Sequence, residues 1–314
     1  MPSHSTTGIV ARDSGACNLV GHGRTRANSA PAKPTVLQCA GDRSALRGSC
    51  RTVGKGYLVQ IIRYHDDGVA RLGLLEGEVV RAAGGELFGQ LLPQEQIGLV
   101  GDLQLLAPVA PGKIIAVGLN YADHVAESAG QAVPETPVIF MKPPSSLLGS
   151  GGTIVLPPGA DPVHHEAELA VVIGRRAHHV RRAEAYDYIL GLTCANDVSA
   201  RNYQQQDGQW VRAKGFDTFC PLGPCITTGL RAEGLAITGR VNGEMRQSSN
   251  TRHLIFDVPF LLEFISGVMT LLPGDVIITG TPAGVGPLVA GDTVEVSIEG
   301  IGTLTNRVVA DQGR

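Results

Sequence analysis

HHEAELAVVIG, residues 164–174, joins two acids to an almost unbroken apolar run. Successive side chains of a strand alternate between its faces, so Glu166 and Glu168, two residues apart, share one face. In isolation such a pair belongs to the solvated side of a half-buried strand. The LAVVIG that follows is apolar at nearly every position and predicts a strand buried on both faces. There, two adjacent carboxylates need a cation to stay charged. By the same alternation His164 lies on the carboxylate face, where it is an alternative imidazole ligand, and His165 lies opposite.

Further apolar runs surround this one: KIIAVG (113–118), TIVLP (153–157), YILGLTCAND (188–197), DVIITGT (275–281) and DTVEVSIEG (292–300). Turn signals at PPG, NG and PGD separate them. The pattern predicts a mixed sheet or a β-sandwich, and with it a mixed, β-rich α+β fold. One helix is legible: Asp257 can cap a run in which Phe260, Leu261, Phe264, Ile265, Val268 and Met269 recur at helical spacing. It ends before Pro273-Gly274-Asp275. Upstream, VQIIRY, the turn HDDG, VARLGLL, LEGE and VVRAA read as hairpins of a small β-domain over residues 57–106, with a larger catalytic domain over 107–314. Residues 1–56 differ from all of this. They are rich in Ser, Gly, Ala and Arg, their only acids are Asp13 and Asp42, and they are expected to be disordered. An organellar transit sequence and an upstream-extended start codon both account for such a leader.

A third acid, Asp197, ends the run YILGLTCAND at the point where a strand hands over to a polar segment. Three carboxylates with room left for water and substrate suit Mg²⁺ or Mn²⁺, with Ca²⁺ an acceptable third, whereas Zn²⁺ favours His or Cys. His124 and Glu127 in NYADHVAES are three residues apart, so one helical turn would make them a hydrogen-bonded dyad suited to general base work. The competing reading is an inert surface pair. Thr281 lies on the Gly-rich turn TGTPAGVGP, whose backbone N–H groups could face a substrate carboxylate; a purely structural turn is the alternative. The turn lacks the GK[ST] ending of a P-loop.

Composition narrows the function classes. A 314-residue chain with 43% hydrophobic residues can bury a large core, and a formal net charge of -3 offers no broad attraction for nucleic acid or anionic membranes. A small molecule is the expected partner. No apolar run reaches the ~18 residues that span a bilayer, and the N-terminus has no continuous apolar signal core. A cytoplasmic location is expected. Six cysteines at irregular spacing (Cys17, Cys39, Cys50, Cys194, Cys220 and Cys225) form no CxxC pair or disulfide framework and are expected to be reduced, mostly buried thiols.

VHHEAELAVVIG (163–174), CANDVSARNYQQQDGQWVRAKGFDTFCPLGP (194–224), GLNYADHVAE (118–127), TLLPGDVIITGTPAGVGP (270–287) and IEGIGTLTN (298–306) together resemble the fumarylacetoacetate hydrolase superfamily. The likeness covers nearly the whole chain after the leader and is strongest to small bacterial acylpyruvases, oxaloacetate decarboxylases and isomerase/decarboxylases of aromatic catabolism. It implies a β-roll catalytic domain, a homodimer, and a divalent metal on Glu166, Glu168 and Asp197. It also implies a substrate-facing Lys214, a carboxylate-binding Arg201 followed by Gln204, and a weaker substrate contact at Lys142. The segment with His124 and Glu127 matches a lid in which the His activates water and the Glu orients it. The expected reaction is hydrolysis of a C–C bond in an acylpyruvate-type 2-oxo acid through a metal-stabilised enolate. Decarboxylation or isomerisation through the same enolate is the alternative, and a non-catalytic binding protein on the same fold is a lesser one.

Overall fold

The protein is described by a computed structural model over residues 58–127 and 132–312; the expected leader, residues 1–56, lies outside these. Four N-terminal strands follow the hairpin signals: β1 (Val59–Asp66), β2 (Val69–Glu76), β3 (Val79–Gly85) and β4 (Leu91–Leu99). The β1–β2 turn is tight because Asp67 and Gly68 both take positive φ, 45° and 84°, the conformation that matches the twist of a two-residue hairpin.

These strands continue a large sheet. Its order runs β4-β3-β2-β1, then Cys220–Thr228, Ile189–Asn196, Ala167–Ile173, Val276–Ile278, Ile114–Gly118 and Val138–Lys142. β1 joins it by antiparallel pairing, Ile61 opposite Ile226. Val276–Ile278 runs parallel to Ile114–Gly118 while Ala167–Ile173 is antiparallel to both its neighbours, so the sheet is mixed. A five-stranded sheet (Glu244–Asn250, Ala236–Val241, Thr293–Ile298, Gly302–Ala310, Thr153–Leu156) and a small three-stranded one (Ser199–Ala200, Val163–His165, Gly286–Pro287) are the other sheets among the described residues. The strand-rich, helix-poor architecture expected of the sequence is the one found.

Every residue of Ala167–Ile173 is buried, as its apolar run predicts. Ala167, Leu169, Val171 and Ile173 pack with Ile237, Val296 and Leu304 of the five-stranded sheet and with Leu261 and Ile265 of a helix. Ala170 and Val172 pack on the other side with Ile114, Ile278, Leu222 and Ile226. Strand alternation places Glu168 on that second face.

Four α-helices are present among the described residues: α1 (Ala122–Glu127), α2 (Arg201–Asp207), α3 (Val211–Lys214) and α4 (Val258–Val268). α4 is the helix legible in sequence, and the Asp257 side chain accepts a hydrogen bond from Phe260 N at 2.9 Å. An Asp257→Ala variant is expected to lose about 1 kcal/mol of stability, the usual worth of an N-cap. Urea unfolding checks this; an unchanged midpoint would show that the cap contributes nothing. The half-exposed Arg182–Asp257 ion pair adds little to that figure because solvent screens it.

Cys194, Cys220 and Cys225 are free and buried, and burial raises all three thiol pKa values, that of Cys220 to about 12. Cys17, Cys39 and Cys50 lie outside the described residues. Among the described residues no helix is long and apolar enough to cross a membrane.

Candidate metal and active site

Glu166 occupies a break in the backbone. The strand Val163–His165 belongs to the small sheet and Ala167–Ile173 to the large one, and Glu166 is the residue between them. The single strand read across residues 164–174 is therefore two. The break is stitched to the neighbouring chain: Glu166 N donates to Asn196 Oδ1 at 2.9 Å and Asp197 N donates to Glu166 O at 3.0 Å. Asp197 likewise follows the last residue of its strand, Asn196, which pairs with Ala167. Two adjacent antiparallel strands thus bring the three acids together. One carboxylate oxygen from each of Glu166, Glu168 and Asp197 lies within 4.8 Å of the others, and all three residues are buried.

Three cations answer these acids. Lys214, at the end of α3, donates from Nζ to Glu166 Oε2 at 2.8 Å and to Asp197 Oδ2 at 2.7 Å. Arg201, at the start of α2, donates to Glu166 Oε1 at 2.6 Å and to Gln204 Oε1 at 2.8 Å. Lys142 donates to Asp197 Oδ1 at 2.6 Å and to Val198 O at 3.3 Å. Burial by itself would raise the Glu166 pKa, but Lys214, Arg201 and His124 outweigh it and hold the carboxyl well below its ordinary range. Burial would likewise neutralise Lys214, yet Asp197 and Glu166 keep its pKa above the usual lysine value.

Glu168 is in a different position. Its carboxylate accepts from Gly280 N at 2.5 Å, and among the described residues no lysine or arginine forms an ion pair with it. Burial, then the charges of Asp197 and Glu166, push its pKa well above the ordinary carboxylate value. A buried carboxylate beside two others and without a cation of its own is what a bound divalent ion would relieve, and three hard oxygen donors are what Mg²⁺ or Mn²⁺ accepts. The residues fit such an ion.

The acids open into a cavity of about 880 Å³, which Glu166, Glu168, Asp197, Lys214, Arg201, Gln204, Thr281, His124 and Glu127 all line. His124 and Glu127 on α1 are brought near each other, with Nδ1 3.6 Å from Oε2. That is beyond hydrogen-bond distance, so they approach as an ion pair rather than as the hydrogen-bonded dyad the three-residue spacing predicts. Both Glu127 oxygens accept from Gly284 N, at 2.9 and 3.0 Å. His164 also lines the cavity; burial, and then Arg201, lower its pKa to about 4, so the ring is neutral at pH 7. One residue is placed otherwise than its sequence reading suggests. Lys142 lies behind Asp197, is fully buried and is absent from the cavity wall. Thr281 borders the cavity, but its hydroxyl donates to Ala167 O at 2.9 Å and accepts from Gln247 Nε2 at 2.8 Å.

Phe140 and Trp210, with ring centroids 5.1 Å apart, form an apolar wall of the cavity that sequence reading missed. Trp210 is the one tryptophan in the chain, and its place within the family-like segment between Arg201 and Lys214 was the available signal. A second cavity of about 790 Å³, lined partly by Gln60, Ile62 and Glu299, gathers no comparable set of acids.

The family described as fumarylacetoacetate (FAA) hydrolase C-terminal matches residues 113–309, and one described as Rv2993c-like, N-terminal matches residues 60–108. The chain is 44% identical over 231 residues to the mitochondrial oxaloacetate tautomerase Fahd2a of Rattus norvegicus, covering 70% of this chain and 72% of that one. It superposes on the 2-hydroxyhepta-2,4-diene-1,7-dioate isomerase of Mycobacterium marinum with TM-score 0.75 and 44% identity, covering 81% of this chain and all (100%) of the other. The maleylpyruvate hydrolase of Sphingobium sp. SYK-6, solved with manganese(II) and pyruvate, matches with TM-score 0.68 and 33% identity, again over 81% of this chain and 100% of that one.

Proposed function

Since the chain belongs to the fumarylacetoacetate hydrolase family, we propose that it is a divalent-metal enzyme hydrolysing a C–C bond in an acylpyruvate-type 2-oxo acid. The observation that carries this reading is the His124–Glu127 pair facing the three acids across one cavity. A divalent ion held by Glu166, Glu168 and Asp197 would supply Lewis acidity to the 2-oxo group, and Mg²⁺ and Mn²⁺ are the ions proposed.

The chain's own groups do the rest. Glu127, anchored on the Gly284 amide, faces Nδ1 of His124 and leaves Nε2 to take a proton from water. The resulting hydroxide oxygen bonds to the distal carbonyl carbon. The bond between that carbon and the pyruvyl CH₂ then breaks, its electron pair passes into the enolate of pyruvate, and a proton returned to carbon completes pyruvate. Lys214, kept protonated by its two acids, holds positive charge beside the developing enolate. Arg201 with Gln204 is the proposed carboxylate contact on the cavity wall, and Phe140 with Trp210 would exclude water from the acyl end.

A second reading is isomerisation or tautomerisation, favoured by the names of the rat and M. marinum relatives. There His124 moves a proton between carbon and oxygen and no water is consumed. An assay of the purified protein with Mg²⁺ or Mn²⁺ on acetylpyruvate, fumarylpyruvate and oxaloacetate separates the two. Hydrolysis is expected to release pyruvate and the matching acid from acetylpyruvate or fumarylpyruvate while enol absorbance falls, whereas pyruvate released only from oxaloacetate, with CO₂, would mark decarboxylation instead. Keto–enol exchange of oxaloacetate without pyruvate release would install the second reading, and inertness toward all three would overturn both.

We propose further that the protein works as a homodimer, and that the boundary between its N-terminal β region and its catalytic domain falls at residue 106. The two family matches, ending at 108 and starting at 113, support that boundary.

A further inference from the structure

Gln247 is an amide side chain with no solvent exposure in the five-stranded sheet, outside the cavity wall. All four of its hydrogen-bonding positions are used. Oε1 accepts from Ala167 N at 2.9 Å and from His165 Nδ1 at 3.1 Å. Nε2 donates to Thr281 Oγ1 and to Pro282 O, each at 2.8 Å. Because the Pro282 carbonyl can only accept, the orientation of the amide is fixed. Ala167 is the residue between Glu166 and Glu168, so one end of Gln247 grips the backbone that carries two of the three acids.

The other end grips the turn Thr279–Gly284, which touches both one of the acids and the helix that carries the His124–Glu127 pair. Its Gly280 N–H binds Glu168, its Gly284 N–H binds Glu127, and the Thr279 carbonyl accepts from Asn120 Nδ2 at 2.7 Å just ahead of α1. α1 is therefore moored to this turn at both ends. At Gly284 the turn also lies against the backbone next to Gln247: a Cβ there would meet Arg246 O at 2.0 Å.

We propose that Gln247 is a positioning residue that sets the separation between the acidic trio and the His124–Glu127 pair by fixing the turn Thr279–Gly284 to Ala167. The inference rests on the proposed role of that pair. It predicts that a lesion at Gln247 is transmitted to α1, about which a merely structural amide would be silent.

Gln247→Glu keeps the acceptor for Ala167 and His165 and removes the amide donor toward Thr281 and Pro282; Gln247→Met removes both halves. Hydrogen exchange by mass spectrometry on the full chain is expected to show faster exchange in peptides covering 279–286 and 119–127 of Gln247→Glu, with 167–173 unchanged. Should Gln247→Met fail to fold, Gln247→Glu alone decides. On whichever of acetylpyruvate, fumarylpyruvate or oxaloacetate the parent protein turns over, kcat of Gln247→Glu should fall about tenfold, the scale of a lost supporting contact. In a Glu127→Gln background the same change should cost less than about twofold, the non-additivity of residues acting through one path. Additive losses, or exchange altered only within 244–250, would overturn the proposal. If no substrate is turned over, the functional reading fails while the exchange result still decides the role of Gln247.

Discussion

Glu168→Gln is expected to lower turnover by on the order of 10³-fold, the equivalent of about 4 kcal/mol of Lewis-acid stabilisation lost from the transition state. The substitution removes one of three carboxylates gathered within 4.8 Å and leaves the shape of the side chain intact. Its effect on folding should run the other way. Without an ion, Glu168 is a buried acid beside two others, paired with a single backbone amide, and making it neutral removes that repulsion. The ion-free variant should therefore melt no lower than the parent and lack the Mg²⁺-dependent rise in melting temperature expected of the parent. Full activity in the variant, or an equal Mg²⁺-dependent rise in both proteins, would remove Glu168 from the metal site.

Lys214→Met should act chiefly on the fold. Its ammonium is shared between Glu166 and Asp197 at 2.8 and 2.7 Å in a buried setting, and breaking a buried pair by deleting one partner typically costs about 3–5 kcal/mol because the other charge is stranded. Here two are stranded, although Arg201 and Lys142 remain beside them. Denaturant unfolding of the ion-free variant should show a loss in that range, and saturating Mg²⁺ should restore part of it by supplying positive charge to the same oxygens. A loss below about 1 kcal/mol would be no more than a surface pair contributes and would mean that the ammonium does not hold the acids in place.

The acidic trio was legible because two rules converge on it: alternation puts Glu166 and Glu168 together, and the apolar run beside them denies those charges water. Asp197 was legible as an acid at the end of another such run. The His124–Glu127 pair followed from helical spacing alone. What stayed hidden depends on contacts between residues remote in sequence. Nothing in KGFDTF indicates that the Lys214 ammonium reaches back to Glu166, 48 residues away, and nothing in FMKPPSS indicates that Lys142 supports Asp197 from behind. Gln247 was invisible for a related reason. It stands in EMRQSSN, a strand whose neighbours Arg246 and Ser248 are exposed, so local pattern marks it as surface, and only the approach of the turn at Gly284 buries it. The break at Glu166 was missed because alternation describes side chains and carries no information on which sheet each half of a strand joins.

Lys142, Arg201 and Lys214 offset the acids from within the chain, which bears on how such a protein matures. In a zinc finger the polypeptide stays unfolded until its ion arrives. Here internal cations already hold Glu166 and Asp197, so on the proposed reading a nascent chain could finish folding in surroundings poor in free ions and take up a divalent ion later. Synthesis and activation would then be separate events, and the ion taken up would reflect local supply at the time of loading.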